Sequence, residues 1–253
     1  MKEIQIRKND AGQRLDRFVG KAVPLLPESL LQKYIRLKRI KRNGKGAKRD
    51  VRLVEGDVLQ LYINDEFFER PTEENAWLKI ATPRLDIVYE DENILLADKK
   101  PGVLCHSAGE WSWDTLISNI QAYLRQSGEW DPKAENAFTP ALCNRIDRNT
   151  GGIVIAAKNA EALRILNDKI RDREIDKAYL CVVCGRPKPA EGRLEGYLFK
   201  DAVKNQVYVT KKPQPGAKSA ATEYRTLQSS RGLSLVECRL LTGRTHQIRA
   251  QMA

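Results

Sequence analysis

The feature that most constrains the fold is a series of short apolar segments, separated by turn residues, that begins near Pro83. Strands rich in β-branched residues are predicted at 86–90, 93–97, 152–156, 178–183 and 233–238. Residues 115–125 and 160–171 instead repeat apolar side chains at helical spacing. Because helices and strands do not alternate strictly, the pattern predicts an α+β domain on a mixed, mostly antiparallel sheet.

Positive charge is concentrated in the first quarter of the chain. The whole sequence has 44 Lys and Arg against 33 Asp and Glu, a net charge of +11, and residues 1–65 contain 16 of the former against 8 of the latter. Between positions 31 and 52 ten basic residues accompany one acid, Asp50. This density favours RNA or DNA binding over a merely solvated surface. The basic residues expected to contact RNA are Lys33, Arg36, Lys38, Arg39, Lys41, Arg42 and Lys45.

The same region has the pattern of a small N-terminal α/β domain. Apolar spacing from Leu15 to Ala22 predicts one helix, and Pro27-Glu-Ser29 opens a second. A turn at Ile40–Gly44 then precedes an apolar strand from Val58 to Ile63. We therefore predict a basic RNA-binding domain over residues 1–65, a polar and acidic linker over 66–82, and a larger catalytic domain over 83–253.

Composition excludes several classes of protein. No segment approaches the roughly 18 apolar residues of a membrane helix, and Met1-Lys-Glu3 does not open a signal peptide. Five cysteines without such a signal favour a reducing, cytoplasmic location, and two histidines cannot form a histidine-rich metal site. Cys181 and Cys184 form a CxxC pair within an apolar strand and are predicted to be buried core residues.

Two polar motifs are candidates for chemistry. Asn144-Arg-Ile-Asp-Arg-Asn-Thr-Gly-Gly152 places a carboxylate between two arginines, where it would stay ionised as a nucleophile or base requires. The alternative is a turn in which Asp147 caps the local backbone. Thr242-Gly-Arg-Thr-His-Gln-Ile-Arg249 could bind phosphate, pair with a buried carboxylate, or simply begin a surface helix.

Together the two motifs resemble those of the RluA-type pseudouridine synthases. The late motif matches that family at every position, and weaker matches follow in the family's order at Lys100-Pro-Gly102 with His106, Lys177-Ala-Tyr-Leu180 with Gly185, and Ala221-Thr-Glu-Tyr224. The N-terminal segments Arg14-Leu-Asp-Arg17, Lys41-Arg-Asn-Gly-Lys45 and Glu55-Gly-Asp-Val58 resemble the small RNA-binding domain named after ribosomal small-subunit protein four. That domain frequently accompanies this family.

The resemblance implies a role for individual residues. Asp147 matches the aspartate that drives cleavage of the uridine glycosidic bond, by attack on the ribose, attack on the base or removal of a sugar proton. Tyr179 matches the tyrosine that packs on the base and assists proton removal from its C5. Arg249 matches the basic residue that pairs with the aspartate. Arg145 matches the arginine that fills the space of the flipped nucleotide. The remaining substrate-binding candidates are Arg244, His246 and Gln247.

The implied function is isomerisation of uridine to pseudouridine in structured RNA, and the expected RNA is that of the large ribosomal subunit. No metal or cofactor is expected, and the implied partner is RNA, bound by a monomer. The alternatives are a synthase acting on transfer RNA and a non-catalytic RNA-binding factor on the same fold.

The sequence departs from the family at three positions and also ends early. Asn144 stands where the family commonly has His, Ile146 where it usually has Leu, and Gly151 where it usually has Ser. Family members usually continue with further core strands, so the catalytic domain is expected to be incomplete at its C-terminus.

Overall fold

A computed structural model of the protein describes four stretches of chain: residues 1–68, 76–107, 113–201 and 206–253. The chain divides into two compact units, Met1–Asn167 and Asp168–Ala253. Every strand pairing in these stretches is antiparallel, which confirms the predicted α+β class. No helix in the described stretches has the length and apolarity needed to cross a membrane.

The N-terminal part of the first unit combines two helices with a four-stranded sheet. Its elements are β1 (Lys2–Gln5), α1 (Leu15–Ala22), α2 (Glu28–Arg36), β2 (Ile40–Arg42), β3 (Lys45–Gly46) and β4 (Val58–Leu61). The strands lie in the order β1-β4-β2-β3. Phe18 and Val19 of α1 and Leu31 of α2 share one apolar core with Leu59 and Leu61 of β4, so burial of these side chains stabilises this part of the fold.

The rest of the first unit is a second four-stranded sheet with two helices. Its elements are β5 (Ile87–Glu90), β6 (Ile94–Lys99), α3 (Leu116–Gln126), β7 (Ala141–Leu142), β8 (Gly152–Ala157) and α4 (Ala160–Arg171), which continues into the second unit. The strand order is β5-β6-β8-β7. Thr115 caps α3, because its side-chain oxygen accepts from the backbone N–H of Ser118 at 3.2 Å.

Within the first unit, the N-terminal part is hydrogen-bonded to the part that follows. The Asn136 side-chain amide donates to the carbonyl of Gln5 at 2.9 Å and to the carboxylate of Asp10 at 2.7 Å. Arg164 of α4 donates to the carbonyl of Ala11 at 2.8 Å. These contacts join β1 and the loop after it to both the segment before β7 and helix α4.

The predicted linker, residues 66–82, is only partly polar and exposed. Residues 69–75 lie outside the described stretches. A helical turn at Ala76–Lys79 follows, and Trp77 in it is 7% exposed, with its ring edge-on to Trp130 at a centroid distance of 5.6 Å. The predicted division into residues 1–65, 66–82 and 83–253 stays a prediction. The polar composition of the linker gave no sign that Trp77 would be buried.

The second unit is a five-stranded antiparallel sheet with one short helix. Its elements are β9 (Ala178–Cys184), β10 (Glu191–Asp201), β11 (Gln206–Thr210), β12 (Lys218–Ser230), β13 (Leu233–Leu240) and α5 (Gln247–Gln251). The strand order is β11-β10-β12-β13-β9. The prediction of two buried cysteines in β9 is wrong for Cys184, which is exposed, whereas Cys181 is half-buried with its sulfur 3.8 Å from that of buried Cys238. The reason is the strand's alternation, since one face of β9 is open.

Candidate active site

The Asp147 loop lies between β7 and β8 of the first unit. The backbone N–H of Thr150 donates to the carbonyl of Asp147 at 3.1 Å, which closes a tight turn, and Gly152 begins β8 with a φ of +130°. The Asp147 side chain is half-buried, while Ile146 before it is buried. The loop is therefore anchored by an apolar neighbour and still offers its carboxylate at a partly open surface.

The loop after β6 holds the Asp147 loop from one side. The backbone N–H of Gly102 donates to the carbonyl of Arg148 at 2.8 Å, and the Arg148 guanidinium donates back to the carbonyl of Gly102 at 3.1 Å. Gly102 has a φ of +94°, so this reciprocal pair needs a residue without a Cβ. The thiol of Cys105 donates to the carbonyl of Ile146 at 3.4 Å. The peptides on both sides of Asp147 are thus tied to one neighbouring loop.

The two polar departures from the family pattern have structural consequences in this loop. The Asn144 side-chain oxygen accepts from the backbone N–H of Ile155 at 2.8 Å and so extends the β7–β8 pairing by one bond. A Cβ on Gly151 would lie 3.2 Å from Cδ of Pro101 and 3.5 Å from the carbonyl of Lys99. Gly151 therefore lets the two loops approach more closely than a Ser would without some adjustment.

His106 and Arg145 lie near the same loop. Burial lowers the pKa of His106, and the positive charge of Arg145 lowers it further. Arg145 itself is exposed, which leaves its guanidinium accessible to a polyanionic ligand.

Lys99 is a residue of this site that the sequence argument missed. Strand β6 alternates, with Leu95, Ala97 and Lys99 all facing the interior, and Lys99 is 1% exposed. Its neighbour Lys100, which the sequence comparison emphasised, is instead exposed and paired with Asp86 and Asp98. A lysine at an inward position of an alternating strand was the signal that could have identified it.

The second unit carries the other predicted catalytic residues. Tyr179 is half-buried near the start of β9, opposite Cys238 of β13. The late motif forms the turn after β13 and then α5, on which Arg249 is exposed. His246 immediately precedes α5 in the left-handed conformation, with a φ of +53°. The structure thus brings the late-motif residues together in one turn and helix.

Gln247 is the residue that shapes this turn. Its side-chain oxygen accepts from the hydroxyl of Thr242 at 2.8 Å and from the backbone N–H of Arg244 at 3.1 Å. Its amide nitrogen donates to the carbonyl of Ala221 at 3.0 Å and to the hydroxyl of Thr222 at 2.8 Å. Gln247 is 2% exposed, so both ends of the amide are used to fix the motif on β12. Its predicted contact with substrate stays a prediction.

Basic side chains predicted to contact RNA are mostly exposed on α2 and the residues around β2 and β3. The exposed members are Lys33, Arg36, Lys38, Arg39 and Lys45, and Lys41 is half-buried. Arg42 differs from them, because its guanidinium lies 2.6 Å from the buried carboxylate of Asp57. A cavity of about 600 Å³ in this part of the chain is lined by Arg42, Lys45 and Lys48. A smaller cavity of about 280 Å³ lies beside β1.

The described stretches contain no group of three or more His, Cys, Asp or Glu side chains that could hold a metal ion.

In the second unit a cavity of about 310 Å³ is lined by Lys177, Arg239 and Arg244, with Thr242 and Gly243 of the late motif beside them. Its charged lining residues are five cations and one acid, Asp176, which pairs with Arg239, so its charge favours an anionic ligand.

Comparison with known proteins identifies the family. Residues 93–253 match the RNA pseudouridylate synthase family. An uncharacterized RNA pseudouridine synthase of Mycoplasma genitalium is 33% identical over 97% of this chain and 76% of its own length. The chain therefore belongs to the RNA pseudouridylate synthase family, as its resemblance to RluA-type enzymes predicted.

Other relatives carry more specific names. The ribosomal large subunit pseudouridine synthase C of Vibrio parahaemolyticus is 28% identical over 97% of this chain and 74% of its own length. Among solved structures, human RNA pseudouridylate synthase domain containing 4 is 21% identical with a TM-score of 0.53, over 70% of this chain and 66% of that one. This second similarity is one of fold.

Proposed function

We propose that this RNA pseudouridine synthase acts on uridine in large-subunit ribosomal RNA, with Asp147, Tyr179 and Arg249 as its reacting groups. The observation that carries the proposal is the Asp147 loop, a half-buried carboxylate whose two flanking carbonyls are held by the loop after β6. Relatives named as large subunit synthases C and D support the choice of RNA.

The proposed chemistry is an isomerisation in which no atom is lost overall. The bond from C1′ of the ribose to N1 of uracil breaks, the base rotates, and C1′ bonds to C5. The proton that leaves C5 is balanced by the one that N1 takes up. Asp147 assists cleavage of the first bond, Tyr179 assists removal of the C5 proton, and Arg249 stabilises the charge of the carboxylate. Since no electron or group is transferred, we propose that no metal or cofactor is needed.

The target base must first leave its stack, which costs a few kcal/mol. Exposed Arg145 lies two residues before Asp147 and is the side chain we propose to occupy the vacated space. Arg244 and His246 of the late motif are proposed to contact the flipped nucleotide, and the Gln247 amide supports them by fixing the turn that carries both.

The N-terminal part of the chain is proposed to be an RNA-binding domain of the ribosomal small-subunit protein four type. Its two helices, the small sheet and the exposed cations from Lys33 to Lys45 support this assignment. The enzyme is proposed to work as a cytoplasmic monomer, with RNA as its partner. Phosphate contacts from this surface would hold the RNA while one uridine is extracted.

Substitution of Asp147 with Asn tests the proposed mechanism. The variant keeps the size and hydrogen-bonding capacity of the side chain and loses its charge, so we expect the fold and the RNA affinity to be retained. Turnover should fall by at least about 10³-fold. The measurement is pseudouridine formation in ribosomal RNA made without the modification, alongside RNA binding. Asp131→Asn, an exposed carboxylate elsewhere in the same unit, is the matched control.

The choice of RNA is tested separately, by mapping pseudouridine in total RNA from cells with and without the gene. A position in large-subunit ribosomal RNA should lose its modification and regain it when the gene is restored. Loss confined to transfer RNA would replace the proposed substrate and leave the enzyme class intact. If every position were unchanged and Asp147→Asn were as active as the natural chain, the proposed function would be rejected.

A further inference from the structure

Lys99, at the end of β6, is a buried cation that the proposed mechanism does not use. Its ammonium donates to three backbone carbonyls: those of Lys100 at 3.1 Å, Val103 at 2.9 Å and Arg148 at 3.0 Å. An ammonium has three protons to donate, and here each has an acceptor. Burying a charge costs several kcal/mol unless it is compensated, so a lysine at this position needs a reason beyond packing.

The three carbonyls belong to two different loops. Those of Lys100 and Val103 lie in the loop after β6, whereas that of Arg148 lies in the Asp147 loop, one peptide beyond the aspartate. The Arg148 carbonyl also accepts from the backbone N–H of Gly102 at 2.8 Å. One carbonyl oxygen thus uses both of its acceptor directions to join the two loops.

The peptide on the other side of Asp147 is held as well. The thiol of Cys105, at the far end of the loop after β6, donates to the carbonyl of Ile146 at 3.4 Å. A thiol is a weak donor, so Lys99 provides the stronger of the two connections. Asp147 therefore projects from a short backbone segment whose flanking carbonyls are both bonded to the loop after β6.

Charge is also involved. Burial lowers the pKa of the Lys99 ammonium, and the nearby Cys105 thiol and Asp147 carboxylate act in the opposite direction. Asp147 thus lies close enough for its charge to stabilise that of Lys99. A neutral side chain at position 99 would lose this interaction, and one without an N–H donor would also lose all three hydrogen bonds.

We propose that Lys99 is the positioning residue for Asp147: it joins the loop after β6 to the carbonyl of Arg148, the residue that follows the aspartate, and so fixes where the carboxylate meets the substrate. The inference rests on the proposed role of Asp147 in the reaction. A displacement of about 1 Å at a reacting group is enough to slow a reaction about 100-fold. Removal of the lock is therefore expected to act on turnover and to leave the binding of RNA unchanged.

The test compares Lys99→Met with two controls. Methionine keeps the length and apolar body of the side chain and removes the three donors. Leu95→Ala removes a fully buried side chain from the same strand and destabilises the sheet without touching either loop. Lys100→Met removes the exposed neighbouring ammonium, which pairs with Asp86 and Asp98. All variants are assayed at a temperature at which each is folded, as judged by circular dichroism.

We expect Lys99→Met to lower kcat about 10- to 100-fold with KM for the RNA within about twofold. Leu95→Ala should lose about as much thermal stability as Lys99→Met, but its kcat should be unchanged. Lys100→Met should have the kcat of the unsubstituted protein. If Lys99→Met does not fold, Lys99→Gln, which keeps two N–H donors for the three carbonyls, is measured in the same assay and should show a smaller loss of kcat.

Two outcomes overturn the inference. The first is a folded variant of Lys99 whose kcat equals that of the unsubstituted protein, and the second is a loss of kcat in Leu95→Ala as large as that in the Lys99 variant. Either would mean that Lys99 matters to stability alone. Failure of the proposed function would look different, because Asp147→Asn would then remain active whatever the result at position 99.

Discussion

At the scale of single residues, Gln247 illustrates how a buried motif side chain can hold the turn that carries its neighbours. The Gln247 amide joins the turn after β13 to two consecutive residues of β12, at distances of 2.8 to 3.1 Å. Because it is 2% exposed, any group left without its bond would be desolvated as well as unpaired. The turn that carries Arg244 and His246 depends on it.

Gln247→Ala should therefore destabilise the protein by about 2–4 kcal/mol, because four polar groups each lose a hydrogen bond and the backbone N–H of Arg244 loses its partner. Urea denaturation followed by circular dichroism measures the change. Gln228→Ala, on the exposed part of β12, is the matched control and should lie within about 0.5 kcal/mol of the natural chain. Unchanged stability with a raised KM for RNA would instead make Gln247 the substrate contact that its place in the motif suggests.

The two motifs could be found from the sequence alone, whereas the contacts made by individual residues of the site could not. Asp147 stands between arginines in a glycine-ended loop, and its position in such a loop was predictable from local chemistry. Lys99 was not, because its role depends on the carbonyl of Arg148, which is 49 positions away in sequence. The same holds for Gln247, since its acceptors on β12 are 25 and 26 positions distant.

At the scale of secondary-structure elements, the hairpin of β2 and β3 is fixed by one buried carboxylate. Asp57 accepts from the backbone N–H of Val54 and the side-chain amide of Asn43, each at 2.8 Å, and its oxygen lies 2.6 Å from Nε of Arg42. Burial alone would raise the pKa of this carboxyl. The hydrogen bonds from Val54 and Asn43 and the positive charge of Arg42 together outweigh burial, and the pKa is lowered.

This depressed pKa predicts acid sensitivity of the hairpin. A carboxyl whose pKa is lower in the folded than in the unfolded state, about 3.9, stabilises the fold above that pH. The contribution is lost as the pH falls through the folded-state pKa. The protection of the amides of residues 40–61 against hydrogen exchange, relative to the intrinsic exchange rate at each pH, should therefore decrease below about pH 4 in the natural chain.

Asp57→Asn should be less stable at pH 7 by about 1–3 kcal/mol and should have lost most of this pH dependence. Asp50→Asn, at an exposed carboxylate of the same region, should leave both unchanged. A natural pH profile in Asp57→Asn would mean that another group is responsible.

Elements with a clear apolar period were predictable, and those without one were not. The helices at Leu15–Ala22 and Ala160–Arg171 and the strands β8 and β13 lie where apolar spacing predicted them. Strands β10 and β12 were missed. β10 contains two glycines and charged residues, with Leu198 as its buried side chain, while β12 is rich in Ser and Thr. Their pairing with neighbouring strands decides their structure.

At the scale of the whole molecule, charge and chemistry lie in different parts of the sequence. The first 65 residues carry twice as many basic as acidic residues, whereas the two motifs of the site lie beyond position 140. In a protein that binds a polyanion, affinity follows from the number of phosphates neutralised, and turnover follows from groups at the reacting base. The two properties should therefore be separable by substitution.

Neutralising Lys33, Arg36 and Lys45 together tests this separation, since all three are exposed. The logarithm of the RNA-binding constant falls with the logarithm of the salt concentration, and each phosphate contact adds about 0.7 to 0.9 to the steepness of this fall. The slope measured for the triple Ala variant should therefore be shallower by about 2 to 3. Its kcat at saturating RNA should equal that of the natural chain, because the Asp147 loop is untouched. The matched control, with Lys211, Lys212 and Arg231 changed to Ala, removes the same charge from exposed positions of the second unit. If the salt dependence of binding weakened equally in that control, RNA would be held by charge spread over the whole molecule. If kcat fell in the first variant, its cations would take part in the reaction itself.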